Sequence, residues 1–210
     1  MYYTDIELHE KLYCLEKEME NLREIPKCIL SDQEIKTLAI EEEMITPFES
    51  KSIKKEIISY GLSSFGYDLR VRNHFKKPRK GALIDPKKPR EVDWEELTLD
   101  NDGTIIIPPH EFFLAESVEK FRMPDNVLGV VYGKSTYARC GIVTNVTPLE
   151  PGWEGTVTLE ISNTTNNPVV LYPYEGLCQV VFFQGNFPDV NYRTKGGKYQ
   201  HQKGITLGGV

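Results

Sequence analysis

The sequence predicts a mainly β fold, a barrel or jelly roll, on two observations. Short apolar stretches recur at residues 104–107, 112–116, 127–132, 169–172 and 177–183, set apart by Pro, Gly and Asn turns. That spacing suits short strands in a closed or sandwiched sheet. Residues 156–162 then alternate strictly, with Val157, Leu159 and Ile161 on one side and Thr156, Thr158, Glu160 and Ser162 on the other. A strand of this kind has one dry face and one polar face. At 210 residues the chain holds one domain with a sizeable core and does not demand two.

Taken in order, the chain begins with Leu8, Leu12, Leu15, Met19 and Leu22, a heptad seam on a charged helix that Pro26 ends. Two heptads are too few for a coiled coil, so a helix lying on its own domain is an equal reading. A second helix is expected from Ser31, where Ser31, Asp32, Gln33 and Glu34 fit a capping box, with Ile35, Leu38 and Ala39 as its buried face. Pro47 leads into the β region. Residues 63–70 read as a turn feeding a strand, with Asp68 as a turn-stabilising carboxylate. Between Arg70 and Arg90 stand nine Lys or Arg residues, interrupted by Pro78, Pro86 and Pro89. In a chain that is acidic as a whole, that run reads as a solvated, proline-stiffened loop rather than a nucleic-acid surface.

Composition excludes several classes. A net charge of -6 argues against general nucleic-acid binding. No apolar run reaches the length of a membrane span, and the first thirty residues lack the apolar block of a signal peptide, so a cytoplasmic protein is expected. Cys14, Cys28, Cys140 and Cys178 are scattered and read as free thiols, with Cys140 and Cys178 as small buried hydrophobes. Neither His-x-Glu nor Pro-Cys-x-x-Cys occurs, the patterns by which zinc deaminases hold their metal.

Residues 133–163 carry the chemistry. Gly133, Lys134, Ser135 and Thr136 form a turn rich in hydrogen-bond donors, followed by Arg139, expected to be buried. A loop punctuated by Pro148, Pro151, Gly152 and Gly155 comes next, with Trp153 beside it, and then the strand bearing Glu160. A Glu on the polar face of a strand is commonly just solvated. Behind a wall it becomes a general base. The alternation alone leaves both readings open.

The stretch resembles the nucleotide-binding core of the metal-free dCTP deaminases, which share a fold and superfamily with the dUTPases. The resemblance lies in GKSTYAR (133–139), PGWEG (151–155) and VTLEISNTT (157–165), and extends to SSFGYDLR (63–70), EGLCQVVFF (175–183) and GGKYQHQKGI (196–205). It covers about residues 29–207 and implies a distorted jelly roll of the dUTPase type with a C-terminal lid from about 191 to 210; the helical extension over 1–28, read from its heptad spacing, lies outside it. It implies hydrolysis of dCTP to dUTP and ammonia by a homotrimer with sites at subunit interfaces. Magnesium would arrive on the triphosphate, dTTP would be a possible inhibitor, and no zinc, nucleic acid or membrane would be involved.

By resemblance Glu160 is the catalytic glutamate, and Ser135 and Arg139 match the family's serine and arginine. Ser135 and the carbonyls of Thr147 and Pro148 would hold the water, while Arg139 would meet charge developing on the ring. Lys134 and the amides around Ser135 and Thr136 suit the triphosphate. Tyr137 and Ala138 complete that turn. Trp153 lies beside the nucleotide, Thr158 and Leu159 offer backbone contacts to the base, and Gln179 falls where the family has a nucleotide-contacting glutamine. Tyr192, Lys198 and Gln202 match the tail that folds over the phosphates. Glu150 stands where other members have Asp, placed to bond the sugar 3′-hydroxyl, in a loop shorter than in some of them. A dUTPase, or an enzyme performing both steps, is the alternative, although the Asp-Tyr pair of the third dUTPase motif and the aromatic of its glycine-rich tail are not evident. A nucleotide-binding trimer without catalysis is a third reading, against which Glu160, Ser135 and Arg139 together weigh.

Overall fold

In the computed structural model, residues 11–13, 28–88 and 93–209 are described. Of the heptad helix expected over residues 8–22 only 11–13 are described, and they are helical; its remainder, and most of the extension assigned to 1–28, lie outside the described residues. Among the described residues the chain is chiefly strand, and nine strands share one sheet. In order these are β1 (Ile45–Thr46), β2 (Gly61–Ser63), β3 (Gly66–Pro78), β4 (Trp94–Leu97), β6 (Phe112–Arg122), β7 (Val127–Gly133), β8 (Ile142–Asn145), β9 (Glu154–Asn163) and β11 (Gly176–Gln184). The remaining two, β5 (Ile105–Ile107) and β10 (Val169–Leu171), form an antiparallel pair of their own. The main path runs β7-β11-β3-β6-β9-β8. Its two ends, β7 and β8, lie against each other, so the sheet is nearly closed into a barrel.

Inside are the dry faces of the strands. Tyr67, Leu69, Val71 and Phe75 of β3, Phe113, Ala115 and Phe121 of β6, Val157, Leu159 and Ile161 of β9, and Cys178, Val180 and Phe182 of β11 are all buried. The helix Asp32–Glu41 closes one end. It starts as its sequence requires: the Glu34 carboxylate accepts from the Ser31 N–H at 2.9 Å, and Ile35 and Ala39 are buried. A backbone bond from Leu30 to the Phe182 carbonyl at 2.9 Å ties its approach to β11.

The basic run departs from expectation. Through Pro78 it is strand, not loop, because Val71 and Phe75 enter the core while the cations that follow them find acids. Lys76 meets Glu96 at 2.7 Å, Lys77 meets Glu95 at 3.2 Å, and Arg79 meets Asp93 at 2.6 Å. Those acids arrive on or beside β4, paired with β3 in register from Phe75–Leu97 to Pro78–Trp94. Asp68 likewise sits within β3, buried and ion-paired with Lys134, rather than stabilising a turn.

One buried charge pair organises the middle of the sheet. Glu119 is fully buried and accepts from Arg70 twice, from Nε at 2.7 Å and from the backbone N–H at 2.9 Å. Glu119 lies where β6 shifts register against β9, between Glu116 and Lys120. The shift leaves Val157 without its ladder acceptor, and Ser117 Oγ replaces it at 2.8 Å while donating to the Glu119 carbonyl at 2.5 Å. A bulge handled this way keeps the Val157 amide satisfied.

Candidate active site

Glu160 stands where β9 is flanked by β6 and β8, opposite Leu114 on one side and Asn145 on the other. Alternation carries it with Thr158 to the face away from the core. That face is not open. The loop between β8 and β9 folds back over it, held by reciprocal bonds between Leu149 and Gly129 of 2.8 and 2.9 Å. At Gly152 the chain turns with φ +78°, and a Cβ there would lie 2.9 Å from Asn191, so the turn requires glycine. The result is a cavity of about 630 Å³ walled by Thr147, Glu150, Trp153, Thr158, Glu160 and the tail.

The tail fits strand and loop by hydrogen bonds. Tyr192 N–H donates to the Pro151 carbonyl at 2.9 Å, and Trp153 Nε1 donates to the Tyr199 carbonyl at 2.9 Å. Tyr199 N–H meets the Tyr192 hydroxyl at 3.0 Å. Gln202 bonds both ways with Thr156, its Nε2 to the Thr156 carbonyl at 2.7 Å and its own carbonyl to the Thr156 N–H at 3.1 Å. Thr206 N–H then reaches Thr158 Oγ1 at 3.1 Å. Beneath this cover Glu160 Oε2 is buried without a hydrogen-bond partner among the described residues. Burial pushes the carboxyl up to about 7. An acceptor so placed, able to lose or hold its proton near neutrality, is equipped to take a proton from water and return it.

One chain thus brings together Glu160, Thr147, Glu150, Trp153, Thr158, Tyr192, Lys198 and Gln202. It does not bring the donor turn to them. Lys134, Ser135, Thr136, Ala138, Arg139 and Gln179 lie off the walls of this cavity. Arg139 is exposed rather than buried, and so is Cys140, because the short helix Ser135–Ala138 turns its one apolar side chain, Tyr137, inward. The Tyr137 hydroxyl accepts from Tyr172 N–H at 3.0 Å, and burial pushes it up to about 12. Lys134 engages Asp68, and Gln179 Nε2 donates to Ser63 Oγ at 3.0 Å. Leu159 faces the core. Tyr199 and Thr206 were not read from the sequence as part of the cavity wall. Tyr199 meets Trp153 through its carbonyl and Thr206 meets Thr158 through its amide, and backbone groups leave no residue-type signal. Among the described residues no group of three or more His, Cys, Asp or Glu is placed to hold a metal ion.

The sequence model of the dCTP deaminase-like family matches residues 29–185. This chain belongs to that family. Among curated relatives, the dCTP deaminase of Acidobacterium capsulatum is 53% identical over 182 residues, 85% of this chain and 97% of its own length. The dCTP deaminase of Helicobacter pylori (strain Shi470) is 50% identical over 179 residues, covering 84% of this chain and 95% of its own. Among solved structures, a 2′-deoxycytidine 5′-triphosphate deaminase from Agrobacterium tumefaciens shares the fold with a TM-score of 0.59 at 20% identity, over 76% of this chain and 49% of that one. This chain keeps Glu160 in a cavity formed largely by its own loop and tail.

Proposed function

We propose that this chain hydrolyses the amine of dCTP, giving dUTP and ammonia. The observation that carries the reading is Glu160, whose buried Oε2 has no partner among the described residues and whose carboxyl is raised to about 7 inside a nucleotide-sized cavity. Water gives its proton to Glu160 as its oxygen bonds the ring carbon that bears the amine. The protonated Glu160 then delivers that proton to the departing amine, and ammonia leaves. Trp153 and the tail exclude bulk water, which keeps the carboxyl high enough for the return transfer. Incubation with dCTP and magnesium, with separation of dUTP, dUMP, ammonia and pyrophosphate, tests this. Equal dUTP and ammonia is expected, whereas dUMP with pyrophosphate would mean that the triphosphate is also cleaved.

The site is completed by a second copy. Ser135, Thr136 and Arg139 are exposed on their own chain and off its cavity, which supports a homotrimer in which this turn enters a neighbour's Glu160 pocket. Mixing inactive Glu160→Gln with inactive Ser135→Ala protein, unfolded and refolded together, should restore activity, since mixed trimers contain intact sites. Mixtures as inactive as their parents would place both residues in one subunit. Magnesium rides on the triphosphate, Lys198 and the amides of the donor turn take the phosphates, and dTTP competes for the same cavity. Chelation should lower turnover only by stripping nucleotide-bound magnesium, and magnesium alone should restore it. A stoichiometric protein-bound zinc needed for activity would contradict this.

A further inference from the structure

The mouth of the cavity holds an ion pair that the proton transfers do not use. Lys195 Nζ meets Glu150 Oε2, with the two side chains 42% and 43% exposed. The ammonium also lies 4.9 Å from the centre of the Tyr192 ring, and Glu150 and Tyr192 both wall the cavity. Lys195 is not on a loose arm. Its N–H donates to the Asn191 carbonyl at 3.0 Å, and Gly197 N–H donates to the Tyr192 carbonyl at 3.0 Å, closing a tight turn. Gly197 presses on the Tyr192 ring so closely that a Cβ would sit 2.2 Å from it. The turn therefore aims the ammonium at Glu150.

The family resemblance gives Glu150 the sugar 3′-hydroxyl as its partner. That hydroxyl is an uncharged donor, and a carboxylate oxygen can accept it. We propose that Lys195 is a positioning and specificity residue that holds the Glu150 carboxylate in place for the sugar 3′-hydroxyl, and so couples closure of the tail to recognition of the sugar. This rests on the deaminase reading. Without Lys195 the three-torsion Glu150 side chain is free to swing into solvent, and the hydroxyl loses a charge-assisted acceptor.

The test compares dCTP with 2′,3′-dideoxycytidine triphosphate, which lacks the hydroxyl, on wild-type enzyme, Lys195→Met and Lys195→Arg. Lys195→Met should lower kcat/KM for dCTP about tenfold, the loss of one hydrogen bond to a charged group. It should leave the dideoxy substrate nearly unchanged, and Lys195→Arg should recover most of the preference. An equal fall on both substrates would mean that Lys195 only fastens the tail, and no change on either would mean that the pair is idle; each overturns the inference while wild-type turnover leaves the deaminase reading standing. Wild-type protein inert on dCTP would overturn that reading first, and this inference with it.

Discussion

Replacing Glu160 by Gln abolishes ammonia release while dCTP still binds. Gln keeps the shape of the side chain and the packing around Oε2 but accepts no proton, and loss of a general base typically costs about 10²–10⁴-fold in rate. A variant with near-native turnover would remove Glu160 from the mechanism. The wild-type profile has its own signature: kcat/KM should rise with pH along a limb centred near the carboxyl value of about 7 and flatten above it, because only the ionised form takes the water's proton. Stability runs the other way. The folded-state value lies above the ordinary carboxyl value, so the native state binds the extra proton and its contribution is complete at low pH. It is lost as pH rises through about 7. The Gln variant, with nothing to ionise, should therefore melt above wild type by a margin wider at pH 8 than at pH 5. A margin that does not grow with pH would mean that Glu160 is not held high by burial.

The second large effect lies away from the cavity. Glu119→Ala should cost about 3–5 kcal/mol of folding free energy, because it strands the Arg70 guanidinium in the interior beside Tyr60, whose ring centre is 4.5 Å away. The double variant Arg70→Met with Glu119→Leu should recover most of that loss, since packed apolar groups replace a buried pair at little or no cost. Urea midpoints for the single and double variants decide it, and a single variant no worse than the double would show the pair to be inert.

The strand that matters was legible because alternation is a local property: Val157, Leu159 and Ile161 declare one face, and Glu160 follows on the other. The capping box at Ser31 was legible for the same reason. β3 was misread past Arg70 because its cations are neutralised by Glu95 and Glu96, some twenty residues on, and a charged face read without its partners looks like a loop. Glu119 gave no signal at all. A carboxylate is rarely buried unless paired, and its pair with Arg70 spans 49 positions. Arg139 was expected to be buried for its place beside the donor turn, but a helix of one turn buries only one side chain, and that is Tyr137.

The parallel bridge between Gly155 and Gln202 carries a consequence beyond chemistry. Past the end of β8, the outer edge of β9 has no strand of the barrel beside it, and the tail fills that row of amides and carbonyls. Without the tail that row would be a bare strand edge, the feature by which folded chains stick to one another. The cover that dries the glutamate is thus also the guard of an adhesive edge.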